Sequence, residues 1–299
     1  MKLSETNTYW ESTAGHLLAE TRQALNEYLL SLKLADKAEA TIEKYRRIIE
    51  AFFRECTLPL EEITSDDVLM WLTTFSEGKK PRTVDLYLSA VSSFFSFCLE
   101  EEYMEITVVK KRWRPKIPHS LPKYLDEFEY ARVKVSAEQL SIRNRALLLF
   151  LFSTGCRVSE VASLQVQDID FNKRKVDVTG KGRKIRQIYF SEECGLVLQD
   201  YLEKRSAEPS DPLFMNKFGK GLQVQGIRKV LKKVGGEAGL VQSFHPHMCR
   251  HTFATNMLAR GADLQFIADV LGHADLNTTR IYAQIPTEEM LLTYQNIMG

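Results

Sequence analysis

Residues 108–123 read VVKKRWRPKIPHSLPK, and no other stretch restricts the fold of this chain as strongly. Pro115, Pro118 and Pro122 oppose any continuous helix or strand. Lys110, Lys111, Arg112, Arg114, Lys116 and Lys123 stand there without a single acid. A chain of 299 residues interrupted at this point is expected to fold as two units, 1–107 and 124–299, joined by a basic linker. Charge follows the same division. Residues 1–107 hold 11 Lys/Arg and 19 Asp/Glu, a balance of −8, whereas 108–299 hold 29 and 20, a balance of +9. The formal net charge of +1 therefore hides two parts of opposite sign. The linker's uncompensated cations suit a phosphate backbone.

The 44% apolar content is enough for conventional cores. The longest strongly apolar run, Ala146 to Phe152, is far short of a bilayer span, so a membrane role is not expected. The opening MKLSETNTYWESTAG lacks the basic start and apolar middle of a secretory signal. Five scattered cysteines, an odd number, point to reduced thiols and a cytoplasmic protein.

The N-terminal unit reads as helical. Ile42, Tyr45, Ile49, Phe52 and Phe53 form one apolar stripe at helical spacing, and Val84, Tyr87, Val91, Phe94, Phe95 and Cys98 form another. The two segments align at an offset of 42, with Thr41/Thr83, Tyr45/Tyr87, Phe52/Phe94, Phe53/Phe95 and Cys56/Cys98 identical. They are either related helix units or one packing solution reached twice. Between them, Thr64-Ser65-Asp66-Asp67 is expected to cap a helix through Val68, Trp71 and Leu72. In the second unit, Ile142–Phe152 predicts a buried helix. Residues 174–178 and 185–190 predict strands of a hairpin around Gly180–Gly182, and helices follow beyond 195. The fold class is therefore mainly α in two domains, with a small antiparallel sheet in the second.

The chemistry-bearing residues fall in that second unit. Arg157 and Arg250 are guanidinium forks that can hold the two non-bridging oxygens of a phosphodiester. His247 precedes Arg250 by three residues, so a helix presents both on one face. Tyr282 can attack phosphorus, and the resulting phosphotyrosine keeps the energy of the broken bond, so rejoining needs no ATP. Lys181, at the hairpin tip, can protonate the departing 5′ oxygen, and His273 can donate to a phosphate oxygen. This chemistry requires no metal and no cofactor, and the expected target is DNA. Other readings stay open. Residues 262–283 mimic a helix-turn-helix, as in a non-catalytic DNA-binding regulator. His245, His247, Cys249 and His251 alternate and would share one face of a strand, as in a metal site. A type IB topoisomerase uses the same phosphotyrosine chemistry.

The segments TGCRVSEVASL (154–164), VTGKGRKIRQI (178–188), HPHMCRHTFATNMLARGADL (245–264) and VLGHADLNTTRIYA (270–283) resemble the catalytic boxes of the tyrosine recombinases, the phage integrase family, with Xer-like spacing. The stretch TIEKYRRIIEAFFREC resembles that family's SAM-like core-binding domain. The resemblance implies a DNA breaking-rejoining fold in 124–299 and catalytic roles for Arg157, Lys181, His247, Arg250, His273 and Tyr282, with Glu160 supporting Arg157. It implies a site-specific recombinase forming a 3′-phosphotyrosyl intermediate on double-stranded DNA, in a synaptic homo-tetramer that a related recombinase or accessory proteins can join. The setting it implies is the cytoplasm of a prokaryote, on the nucleoid. The resemblance also implies that a C-terminal helix within Glu288–Ile297, with Leu291, Leu292, Tyr294 and Ile297 on one face, can dock on a neighbouring protomer, and packing against its own domain stays equally open. Cys249 departs from the family, which commonly has an apolar residue such as leucine there, and it is small and apolar enough to pack in that place. Lys44, Arg47, Lys79, Lys80, Arg82, Lys110, Lys111, Arg112 and Arg114 are the expected DNA contacts, with Arg47 and Arg82 on phosphates.

Overall fold

A computed structural model describes residues 9–118, 122–180, 185–273 and 277–282. The chain divides into two compact units, residues 1–119 and 120–299. In the first, four helices carry the core: α1 (Ala19–Leu34), α2 (Glu39–Glu55), α3 (Ser65–Ser76) and α4 (Pro81–Glu100). The capping box expected before α3 is present. The Thr64 hydroxyl accepts from the Asp67 N–H, and the Asp67 carboxylate accepts from the Thr64 N–H, so two otherwise orphaned donors are satisfied. Val68, Trp71 and Leu72 are the buried residues of that helix. Pro81 opens α4 at a position where its missing N–H costs nothing.

The 42-residue offset reappears as packing. Phe52 of α2 meets Phe95 of α4 edge-on with ring centroids 5.5 Å apart, and Phe53 meets Phe94 edge-on at 5.9 Å. Reciprocal pairs of this kind are what two equivalent helices make when packed face to face. Each pair adds about 0.5–1.5 kcal/mol beyond the burial of its area. The start of the basic segment lies on this unit: Val108 is fully buried in its core, and Arg114 Nη1 donates to Asp85 (2.8 Å) and Ser89 (2.9 Å) on α4.

In the second unit the run Ala146–Phe152 lies within α6 (Ile142–Thr154), where all seven residues are buried and the neighbours are α5 (Glu127–Glu138), α8 (Glu192–Lys204) and α10 (Pro246–Ala259). A helix apolar on every face has to be central. The hairpin strands are β2 (Lys175–Thr179) and β3 (Ile185–Tyr189), in register from Lys175↔Tyr189 to Thr179↔Ile185. A two-residue strand β1 (Ile169–Asp170) completes an antiparallel sheet of order β1-β2-β3. It escapes sequence reading because two residues carry no period. The short α7 (Val158–Ser163) follows α6, and α9 (Val224–Glu237) precedes α10. After α10 come α11 (Leu264–Leu271) and α12 (Asn277–Arg280), as the helix–Gly272–helix pattern predicts. Among the described residues, no helix is long and apolar enough to cross a membrane.

Candidate active site

The C-terminal end of α11 organises the site. The last carbonyls of a helix have no partner within it and form the negative end of its dipole. Here three consecutive ones are met by arginines from three different elements. Arg186 Nε on β3 donates to the Val270 carbonyl (3.0 Å), Arg250 Nη2 on α10 to that of Leu271 (2.7 Å), and Arg157 Nη2 at the N-cap of α7 to that of Gly272 (2.9 Å). Gly272 then reverses the chain with φ +65°, a conformation only glycine takes without strain. A Cβ there would also lie 3.0 Å from Arg186 Nε. Gly155, with φ +61°, has the matching place at the end of α6, and its carbonyl accepts from Arg250 Nη1 at 2.9 Å.

Glu160 anchors two of these arginines. Its carboxylate accepts from the Arg157 N–H (2.8 Å) and Nη1 (3.1 Å), and from Arg186 through a two-pronged contact at 2.8 and 2.9 Å. Burial pushes the carboxyl up, but the bonds from Arg186 and from the Arg157 backbone outweigh it and hold Glu160 below the usual carboxylate range. Arg250 is treated differently. It is 5% exposed, and both its described hydrogen bonds end on neutral carbonyls. Burial, and then the like charge of Arg157, bring its pKa down to about 10. The result is a cluster in which the positive charge of Arg250 has no carboxylate among its described hydrogen-bond partners.

The histidines around it are neutral at neutral pH. Burial and then the charge of Arg250 lower His247, and the same two causes take His273 to about 4. His273 Nδ1 pairs with Thr279 Oγ1 of α12 at 2.8 Å. Tyr282 is 1% exposed, packed with Ala254, Ile267 and Leu271, and its hydroxyl pairs with His251 Nδ1 at 2.7 Å. Burial raises its pKa to about 12, with Arg250 pulling the other way. Cys249 is fully buried in the core of the unit, which suits a thiol standing where an apolar residue is common.

The structure thus brings Arg157 and Arg250 to the end of α11 just before His273, with Glu160 bound to Arg157 and with His247 and Tyr282 close enough to feel the charge of Arg250. Lys181 and the helix expected within Glu288–Ile297 lie outside the described residues. Two residues of the cluster were not expected from the sequence. Arg186 shares a strand face with the buried Ile188, and an arginine at an inward position needs a buried acid, a signal present in the alternation of IRQI. His251 has no such signal, because its partner lies 31 residues away. Helix α10 also separates the alternating set His245, His247, Cys249 and His251. His245 caps the helix by accepting from the Met248 N–H, Cys249 points into the core, and His251 faces Tyr282. Among the described residues, no three His, Cys, Asp or Glu side chains are grouped as metal ligands would be.

On the first unit, Lys44 and Arg47 are exposed on α2, and Arg47 pairs with Glu43 one turn earlier. Lys79 lies 4.8 Å over the Phe75 ring, and Lys80 and Arg82 flank the exposed start of α4, whose first turn has no acid. Lys110 sits 5.8 Å over Trp113, and Lys111 and Arg112 are exposed beside it.

Known proteins resemble the chain along both units. The pattern of the phage integrase family matches residues 123–289, and that of the phage integrase N-terminal SAM-like domain matches residues 24–105. Tyrosine recombinase XerD of Listeria monocytogenes is 34% identical over 260 residues, covering 82% of this chain and 88% of that protein. Tyrosine recombinase XerC of Bacillus subtilis is 35% identical over 247 residues, covering 79% and 81%. Among solved structures, the XerH site-specific recombinase bound to palindromic difH substrate in a post-cleavage complex shares the fold. It has a TM-score of 0.75 and 22% identity over 94% of this chain and 90% of that one. A lambda integrase dimer bound to a COC′ core site gives 0.73 and 19%, over 87% and 94%.

Proposed function

The chain belongs to the phage integrase family of tyrosine recombinases, and on that premise we propose that it cuts and rejoins duplex DNA at a specific site through a 3′-phosphotyrosyl intermediate. The observation that carries the assignment of roles is the buried Arg250, a cation hydrogen-bonded to carbonyls and crowded by Arg157. An incoming anion would offset that burial and crowding, and the two guanidinium forks match the oxygens of one phosphodiester. Charge builds on those oxygens in the transition state, so fixed donors lower the barrier more than they tighten ground-state binding.

In this reading Tyr282 attacks phosphorus, the 5′ oxygen departs with a proton supplied by Lys181, and His247 and His273 donate N–H groups to the scissile phosphate. Neutral imidazoles can also take up the phenolic proton, which a pKa of about 12 keeps on Tyr282 until such a base removes it. Leaving His251 and its apolar pocket precedes attack, because a phenol 1% exposed cannot reach a DNA backbone. Lys44, Arg47, Lys79, Lys80, Arg82, Lys110, Lys111, Arg112 and Arg114 are assigned to DNA phosphates, with 1–107 as the core-binding domain, 108–123 as linker and 124–299 as the catalytic domain. Assembly is assigned as a tetramer on two DNA sites, with the segment 288–297 exchanged between protomers.

The test is Tyr282→Phe on a two-site plasmid. The wild type should yield protease-sensitive protein–DNA adducts and recombinant circles, and the variant neither, with DNA binding retained. Relaxed single plasmids without recombinants from the wild type would instead assign a topoisomerase, and adducts persisting in Tyr282→Phe would assign another nucleophile.

A further inference from the structure

Arg186 touches none of the groups assigned to strand chemistry except through Glu160 and the backbone, yet its guanidinium is closely committed. Its side chain is 14% exposed. Two of its nitrogens hold the two oxygens of Glu160 and the third holds the Val270 carbonyl. The contacts close a ring. Arg186 binds Glu160, Glu160 binds Arg157, Arg157 binds the Gly272 carbonyl, and two residues back along α11 the Val270 carbonyl returns to Arg186. We propose that Arg186 is a positioning residue for cleavage: it fixes Glu160, and through Glu160 the guanidinium of Arg157, while tying the end of α11 so that His273 faces the same phosphate. The inference rests on the tyrosine recombinase reading of the site.

A lysine cannot do this work, because one ammonium cannot span two carboxylate oxygens and a carbonyl in fixed directions. Nor is the contact merely a buried ion pair, since the carboxylate is shared with Arg157. The groups that face Glu160 are Arg157 at the N-cap of α7, Arg186 on β3, Arg250 on α10 and the Cys156 thiol, which burial pushes up to about 12 and so keeps uncharged. Without Arg186 the acid, 6% exposed, loses the two hydrogen bonds that oppose its burial. It then takes up a proton nearer neutrality, and protonation releases Arg157.

The experiment uses the full-length chain and a nicked duplex bearing the sequence recovered from wild-type tyrosyl adducts. Single-turnover adduct formation at saturating DNA, and the Kd, are followed between about pH 6 and pH 9. Arg186→Gln should bind DNA as the wild type does. At the acid end it should cleave roughly 10- to 100-fold more slowly, the scale of a misplaced catalytic group. Its rate should recover as pH rises, a limb absent from the wild type. The double variant Glu160→Gln/Arg186→Gln, with nothing left to protonate, should be slow at every pH. Arg186→Lys, which keeps the charge and most of the packing, should show the same limb in weaker form, and it serves as the reading if Arg186→Gln does not fold. A variant profile parallel to the wild type overturns the positioning role alone. So does a loss of cleavage matched by an equal loss of binding. A wild type that forms no tyrosyl adduct overturns the tyrosine reading and this inference together.

Discussion

Arg250 and the histidines near it show what burial does to charge in this site. Burial lowers the proton affinity of His247, His251 and His273, and the charge of Arg250 lowers it further. His251 and His273 accordingly fall from 6.5 to about 4, burial first and neighbouring positive charge next. The sign of the stability effect follows. As pH drops below 6.5 the unfolded chain binds protons at these positions before the folded chain does, so stability present above 6.5 is lost as pH falls toward 4. Thermal melts from pH 7 to pH 4.5 should show a falling Tm, and His273→Gln should flatten the slope. An unchanged slope in that variant would mean that other groups carry the acid sensitivity. Glu160 acts in the same direction at lower pH, since its depressed carboxyl loses its contribution only below the ordinary carboxylate range.

At the scale of elements, α11 is held at its C-terminus by three side chains in addition to its glycine cap, and this makes Gly272 more demanding than other turn glycines. Gly78 has a similar φ of +68° with nothing within 4 Å of the place a Cβ would take, whereas at Gly272 that atom would meet Arg186 at 3.0 Å. Gly78→Ala should therefore cost only the left-handed backbone penalty, about 1–2 kcal/mol. Gly272→Ala should cost more and also slow cleavage, because Arg186 cannot retreat without releasing Glu160. Urea unfolding of the two variants decides it, and equal losses would contradict the crowding. Helix α4 carries a different tension. Lys79, Lys80 and Arg82 gather at its positive end with no acid in the first turn, a placement disfavoured by about 0.3–1 kcal/mol per charge at low salt. A bound phosphate would relieve it.

For the whole molecule, a net charge of +1 gives little long-range attraction to DNA, so affinity has to come from local clusters. Each phosphate neutralised contributes about −0.9 to the slope of log affinity against log salt. Changing Lys79, Lys80 and Arg82 together to Gln should make that slope shallower by about 2 to 3. Relief of the crowded helix start should raise Tm slightly. Filter binding from low to high salt measures the first and thermal melts the second, and an unaltered slope would remove the start of α4 from the DNA interface.

Much of this protein could be read from its residues in order. The apolar stripes of α2 and α4, the continuous apolar run of α6, the Thr64 cap and the β2–β3 hairpin all arise from residues within a few positions of one another, and such residues leave a pattern in the chain. The segments around Arg157, His247–Arg250 and His273–Tyr282 were legible as a family resemblance for the same reason, since each is a short motif. What tertiary structure alone decided are the contacts made at long separation: Arg186 with Glu160 across 26 residues, Arg157 with Gly272 across 115, and His251 with Tyr282 across 31. Burial was decided there too. Nothing local distinguishes Arg250, 5% exposed, from a solvated arginine, or Tyr282, 1% exposed, from one at the surface. Their altered proton affinities come from the desolvation and neighbouring charges that only the assembled fold supplies.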